Sequence, residues 1–273
     1  MVKYLALISF FLMATFAKAT DLKSSPLVIG DSISFQSKIL KEKRTLNVYL
    51  PESYHREPKR NYPVIFLLDG SLSEDFIHIA GVLQFGSFSW INMLPESILV
   101  GIENIDRKRD YTFPSKIALD QKEFPSSGGS KEFIDFLDKE VQPIIASNFR
   151  TKEKSTLIGQ SLGGLVATEI LLKHTDLFDN YIIISPSLWW SGESLLTSIP
   201  EDCCEDKQIY IGVGKEGEVM ERLARTLYNK LDNKKSNTKI HFGYFEQLDH
   251  GDTLHLAVYD AFGKLFSDKA PKN

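Results

Sequence analysis

The sequence predicts an α/β fold built on a mostly parallel, twisted sheet with helices on both faces. Three observations carry this. Short apolar runs, Val64 to Leu68, Ser97 to Ile102 and Tyr181 to Ile184, have the length and composition of strands buried on both sides. Segments with helical spacing alternate with such runs through the second half of the chain, as crossover helices between parallel strands require. At the centre, Lys154 to Leu172 reads as strand, sharp turn and helix.

In chain order, Ser32 to Tyr49 alternates apolar and polar residues around the charged Lys41-Glu42-Lys43-Arg44 turn, predicting two antiparallel strands at the sheet edge. Pro51 to Tyr62 is polar and carries two prolines, so it reads as a surface loop. The strand from Val64 stops at Asp69-Gly70-Ser71. Glu103 to Ser130 has no clear period and reads as a long loop, which in compact domains usually serves function. Gly129 to Phe149 is predicted as an amphipathic helix, because Phe133, Phe136, Leu137, Val141 and Ile144 recur at helical spacing. Gln208 to Val213, Arg222 to Leu231, Lys239 to Phe245 and Leu254 to Phe266 then read as strand, helix, strand and helix.

The 273 residues, 42% hydrophobic and 11% aromatic, are enough for a sizeable core, and no linker divides them. A single domain over 20–273 is expected. Lys and Arg number 32 against 36 Asp and Glu, interleaved, with no basic run to track phosphates, so nucleic acid is not the expected partner. Residues 1–19 differ from the rest. Lys3, the apolar stretch from Leu5 to Phe16 and Ala17-Lys18-Ala19 have the pattern of an export signal cut before Thr20, which points to the periplasm or the cell exterior. That run is too short for a membrane span, and nothing later resembles one. Cys203 and Cys204 are the only cysteines and are adjacent, so they tie no distant segments together and read as a surface loop pair. No metal site is expected from so few ligands.

Gly159-Gln160-Ser161-Leu162-Gly163 matches G-x-S-x-G, in which a strained turn exposes the serine hydroxyl while small residues let strand and helix cross closely. A serine needs a base to take its proton, and that base needs a carboxylate to fix its tautomer. In elbow folds the order is serine, acid, histidine. Of the histidines after a possible acid, His241 opens a strand and His255 sits in the last helix, leaving His250 in the Leu248-Asp249-His250-Gly251 loop. The acid is expected after the Gln208 strand, where both Glu216 and Glu218 stand. Glu218 opens a helical run and has a structural reason to be there, which favours Glu216. Backbone N–H groups of Leu162 and Ser71 are the candidate oxyanion donors. Trp189 and Trp190 read either as core or as a pocket wall. Arg107 and Arg109 read either as solvated surface or as ligands for an anionic substrate. No cofactor is called for.

The segments LLDGS, DRKRDYTFP, GGSKEFIDFLDKEVQPII, IGQSLGG, ISPSLWW, IGVGKEG and DHGDTLHLAVYDAF, in that order, resemble the putative esterase family of α/β hydrolases. That family holds esterase D, feruloyl and acetyl-xylan esterases, and hydrolases that open ferric-siderophore trilactones. The resemblance covers essentially the whole chain after residue 19. It implies an α/β-hydrolase fold and a serine carboxylic-ester hydrolase acting through an acyl-enzyme on a small-molecule ester or lactone. It is nearest to the siderophore-esterase branch, whose motifs imply Ser161, His250 and Glu216 as the catalytic residues. Gln160 departs from the histidine often found there, and Gly217 interrupts the usual spacing to the acid. An acyltransferase, or a non-catalytic glycan- or siderophore-binding member of the same fold, is the alternative.

Overall fold

The computed structural model describes residues 23–197, 199–200, 203–233 and 238–267. The segment read as an export signal lies outside them. In chain order the elements are β1 (Asp31–Gln36), β2 (Lys43–Tyr49), β3 (Tyr62–Leu67), α1 (Phe76–Ser87), β4 (Ile98–Ile102), α2 (Arg107–Asp110), α3 (Ala118–Glu123) and α4 (Ser130–Phe136). A π-helical turn (Leu137–Val141) joins α4 to α5 (Gln142–Asn148), so the long amphipathic helix forms as one run with a bulge. Next come β5 (Thr151–Gln160), α6 (Leu162–Lys173), β6 (Asn180–Ile184), α7 (Trp190–Glu193), β7 (Gln208–Gly214), α8 (Glu218–Asp232), β8 (Lys239–Phe245) and α9 (Thr253–Phe266).

The eight strands form one sheet in the order β1-β2-β4-β3-β5-β6-β7-β8. Only the pairings of β2 with β1 and β4 are antiparallel; the six strands from β4 to β8 run parallel. Alternate strand residues feed two cores. Leu157, Tyr181, Ile183 and Ile211 meet helices α4, α6 and α8 on one face, and Ile158, Ile182, Ile184 and Tyr210 meet α1 and α9 on the other. This is the doubly covered α/β-hydrolase sheet that the apolar runs imply.

Three features differ from the sequence reading. Helix α1 lies in a stretch to which no element was assigned; it buries Phe76, Ile79, Ala80 and Leu83 but leaves Ile77 and Phe85 exposed, which blurs its apolar stripe. The 103–130 loop contains the short helices α2 and α3 and is pinned to β2 by the buried pair Arg44 Nη1–Asp110 Oδ2 at 2.8 Å. Cys203 and Cys204 are buried against the main core rather than on a surface loop, with sulfurs 2.8 Å apart.

The consequence for function is geometric. Parallel strands β3, β5, β6, β7 and β8 all release the chain at the same sheet edge, where Asp69-Gly70-Ser71, Ser161, Ser185-Pro186-Ser187, Glu216 and His250 follow them.

Candidate active site

Ser161 joins β5 to α6 with φ 58° and ψ −118°, a conformation that a non-glycine residue adopts only under constraint. The constraint is the close crossing of strand and helix. A Cβ on Gly159 would overlap the Gly163 carbonyl, and one on Gly164 would lie 3.0 Å from Ile184 O. The turn is held by Ser161 N–H donating to Ile184 O at 3.0 Å and Ser187 N–H donating to Ser161 O at 3.0 Å. The Ser161 hydroxyl is thereby presented at the sheet edge, 3.3 Å from Ser187 Oγ.

His250 Nδ1 lies 2.5 Å from Glu216 Oε2. The other Glu216 oxygen accepts from the buried Ser185 hydroxyl and from the Gly214 N–H at 2.9 Å. The glutamate side chain is only 1% exposed, against 46% for His250. Burial alone would raise the Glu216 pKa; the hydrogen bonds from His250, Ser185 and Gly214 outweigh it and hold the carboxyl below its usual range. Glu218 instead begins α8, where a carboxylate complements the helix dipole. The backbone N–H of Lys215 donates to Leu248 O at 2.7 Å, joining the acid loop to the histidine loop.

Ser161, Glu216 and His250 share one open cleft of about 670 Å³ with Ser187, Trp189 and Lys215. Among the described hydrogen bonds none joins His250 to Ser161; contacts of this kind commonly tighten only when substrate binds. A second cavity, of about 660 Å³, is lined by Asn61, Thr151, Asn180 and Gln208, at the start of the parallel strands and away from this chemistry.

The two oxyanion candidates are placed consistently with that role. The Leu162 N–H opens α6 and has no carbonyl a turn behind it. In the loop after β3 the Gly70 N–H is already donated to Ile102 O at 3.0 Å, whereas no described group accepts from the Ser71 N–H.

Three of the candidate substrate ligands are placed elsewhere. Trp190 is 1% exposed and donates its indole N–H to Phe113 O at 2.8 Å, so it is core; its neighbour Trp189 lines the cleft. Arg109 is occupied by Glu42, at 2.6 and 3.1 Å, and by Asp110 at 2.7 Å, in the network that anchors the loop to β2. Arg107 clamps Asp69 through two hydrogen bonds and donates to Gln160 O at 3.1 Å, so its guanidinium braces the site instead of facing a ligand. Ser185 and Ser187 carried no role in the sequence reading. Their partners lie 26 to 31 residues away, and the only local signal was their position at the end of a buried strand.

The comparisons with known proteins agree with this fold. The family model described as putative esterase matches residues 37–268. The chain belongs to this esterase family. It is 31% identical over 167 residues to the ferri-bacillibactin esterase BesA of Bacillus subtilis (strain 168), a match that spans 57% of this chain and 58% of that protein. Among solved structures, an IroE-like serine hydrolase from Shewanella oneidensis superposes with a TM-score of 0.77 at 29% identity, over 89% of this chain and 82% of that one. The BES protein from Bacillus cereus gives 0.79 at 25% identity, over 90% and 99%. No described helix is long and apolar enough to cross a membrane.

Proposed function

We propose that this member of the esterase family is a serine carboxylic-ester hydrolase working through an acyl-enzyme. The observation that carries the reading is the 2.5 Å pairing of His250 Nδ1 with a buried Glu216 in the same cleft as the strained Ser161. Ser161 Oγ attacks the ester carbonyl while His250 takes its proton, and Glu216 fixes the imidazole tautomer. The Leu162 and Ser71 N–H groups hold the tetrahedral oxyanion. His250 then returns the proton to the departing alcohol. Water repeats the sequence on the acyl-serine, releasing the acid and restoring Ser161.

For substrate, the likeness to BesA and to the IroE-like hydrolase supports an ester or lactone of siderophore type. An open cleft with Trp189 on its wall has room for a bulky one. The same reading takes residues 1–19 as an export signal, so the mature chain should begin at or near Thr20; isolation of the protein from the cytosol with Met1 intact would remove that part.

The decisive experiment pairs p-nitrophenyl esters and a ferric trilactone with fluorophosphonate labelling. Ser161→Ala should abolish turnover and labelling while leaving the circular dichroism unchanged, a loss of several orders of magnitude in kcat. A variant that keeps a tenth of the rate overturns the assignment. Fluorophosphonate labelling of the wild type without turnover of any ester would favour the acyltransferase instead.

A further inference from the structure

Gln160 is the residue immediately before Ser161, and its side chain has a definite partner. Its Nε2 amide donates to the backbone carbonyl of His250 at 2.7 Å, across 90 residues of sequence. Among the described residues this is the only hydrogen bond from the elbow to the histidine loop. The other ties of that loop run to the acid loop, through Lys215 N–H to Leu248 O and through Glu216 to the His250 ring, to its flanking elements, through Leu248 N–H to Phe245 O and the Thr253 hydroxyl to Asp249 O, or stay within the loop, as with Gly251 N–H to Asp249 Oδ1. Gln160 is fixed from behind as well. Its own carbonyl accepts from Arg107, which is in turn clamped to Asp69 beside the oxyanion loop.

We infer that Gln160 is a positioning residue that sets the distance between His250 and Ser161. The Glu216 contact orients the imidazole from the acid side and ties the histidine loop to the nucleophile only indirectly, through Ser185 and the turn after β6. A donor on the nucleophile's own turn, gripping the histidine's own carbonyl, makes that tie direct with one bond. The inference rests on the hydrolase reading, and it gives the non-histidine residue in this elbow a job that requires an N–H rather than mere bulk. A histidine side chain at this position also carries a ring N–H, which makes Gln160→His the conservative exchange and Gln160→Leu the size-matched one without a donor.

The test measures kcat, KM and the fluorophosphonate labelling rate for Gln160→Leu, Gln160→Glu and Gln160→His on one activated ester. Displacing a catalytic group by about 1 Å can cost on the order of a hundredfold. The leucine and glutamate variants should therefore lose roughly 10- to 100-fold in kcat and in labelling rate, with KM little changed. The histidine variant should stay close to the wild type. Gln160→Glu keeps the test open if the leucine variant does not fold. Wild-type kcat in the leucine or glutamate variant overturns the inference, as does a histidine variant as slow as the leucine one. Wild-type protein that turns over no ester removes the hydrolase reading itself and this inference with it.

Discussion

Arg107 holds both carboxylate oxygens of Asp69, Nε to Oδ1 at 2.7 Å and Nη2 to Oδ2 at 3.0 Å. Asp69 stands at φ 56° just before the Gly70-Ser71 turn, so the pair fixes the loop that offers the proposed oxyanion donor. The same guanidinium also reaches Gln160 O, which registers that loop against the elbow.

A lysine cannot reproduce this fork, because an ammonium is a single compact donor group. Arg107→Lys should lower kcat with little change in KM. It should also cost about 2 kcal/mol in urea denaturation, less than for a fully buried pair because the arginine is one-third exposed. Unchanged kcat would show that the oxyanion loop holds its position without the clamp.

Glu216 and Glu218 stand two residues apart in different surroundings. Glu216→Gln should lower kcat by roughly 10² to 10⁴, as an acid-to-amide change in a triad does. Glu218→Gln should leave kcat alone and cost a few tenths of a kcal/mol at the helix terminus. Steady-state kinetics of the two variants side by side decides between them, and the opposite ranking would move the role to Glu218.

Stability should depend on pH through Asp75, just after the oxyanion loop. Burial first, then the charges of Asp69 and Glu74, push its pKa up to about 6 from the ordinary 3.8. Folding therefore favours the protonated form of this group. Its ionisation penalty is absent below about pH 4, grows between 4 and 6, and is fully present above. Glu216, held below its usual range, has the opposite sign: its contribution is present above the unfolded-state pKa and lost as pH falls through the folded-state value. Asp75→Asn should accordingly raise the melting temperature at about pH 7.5 and leave it nearly unchanged near pH 4. Equal shifts at both pH values would mean that Asp75 carries no such penalty.

The central sheet could be read directly because its strands are buried and apolar on both faces, as in β4, where every residue from Ile98 to Ile102 is buried. Helix α1 escaped because Ile77 and Phe85 on its outer side interrupt the contrast on which periodicity depends. At the site, Ser161, Glu216 and His250 were visible because each follows a strand and the order serine, acid, histidine is fixed by the fold. Partner choice was not. Arg107, Arg109 and Trp190 are settled by contacts with Asp69, Glu42 and Phe113, 38, 67 and 77 residues away. Composition says that an arginine or tryptophan needs a partner, not which one it finds.

The strand order has a consequence in time. The elbow ends β5 in the middle of the sheet, but its proposed acid and histidine are delivered by β7 and β8, which are both synthesised after it and lie toward one edge. Helix α9, which follows them, packs against β6, β7 and β8. A chain that has formed only its first six strands carries an exposed serine with no base beside it. On the proposed mechanism, a copy that lacks β7 and β8 should therefore be unable to hydrolyse esters.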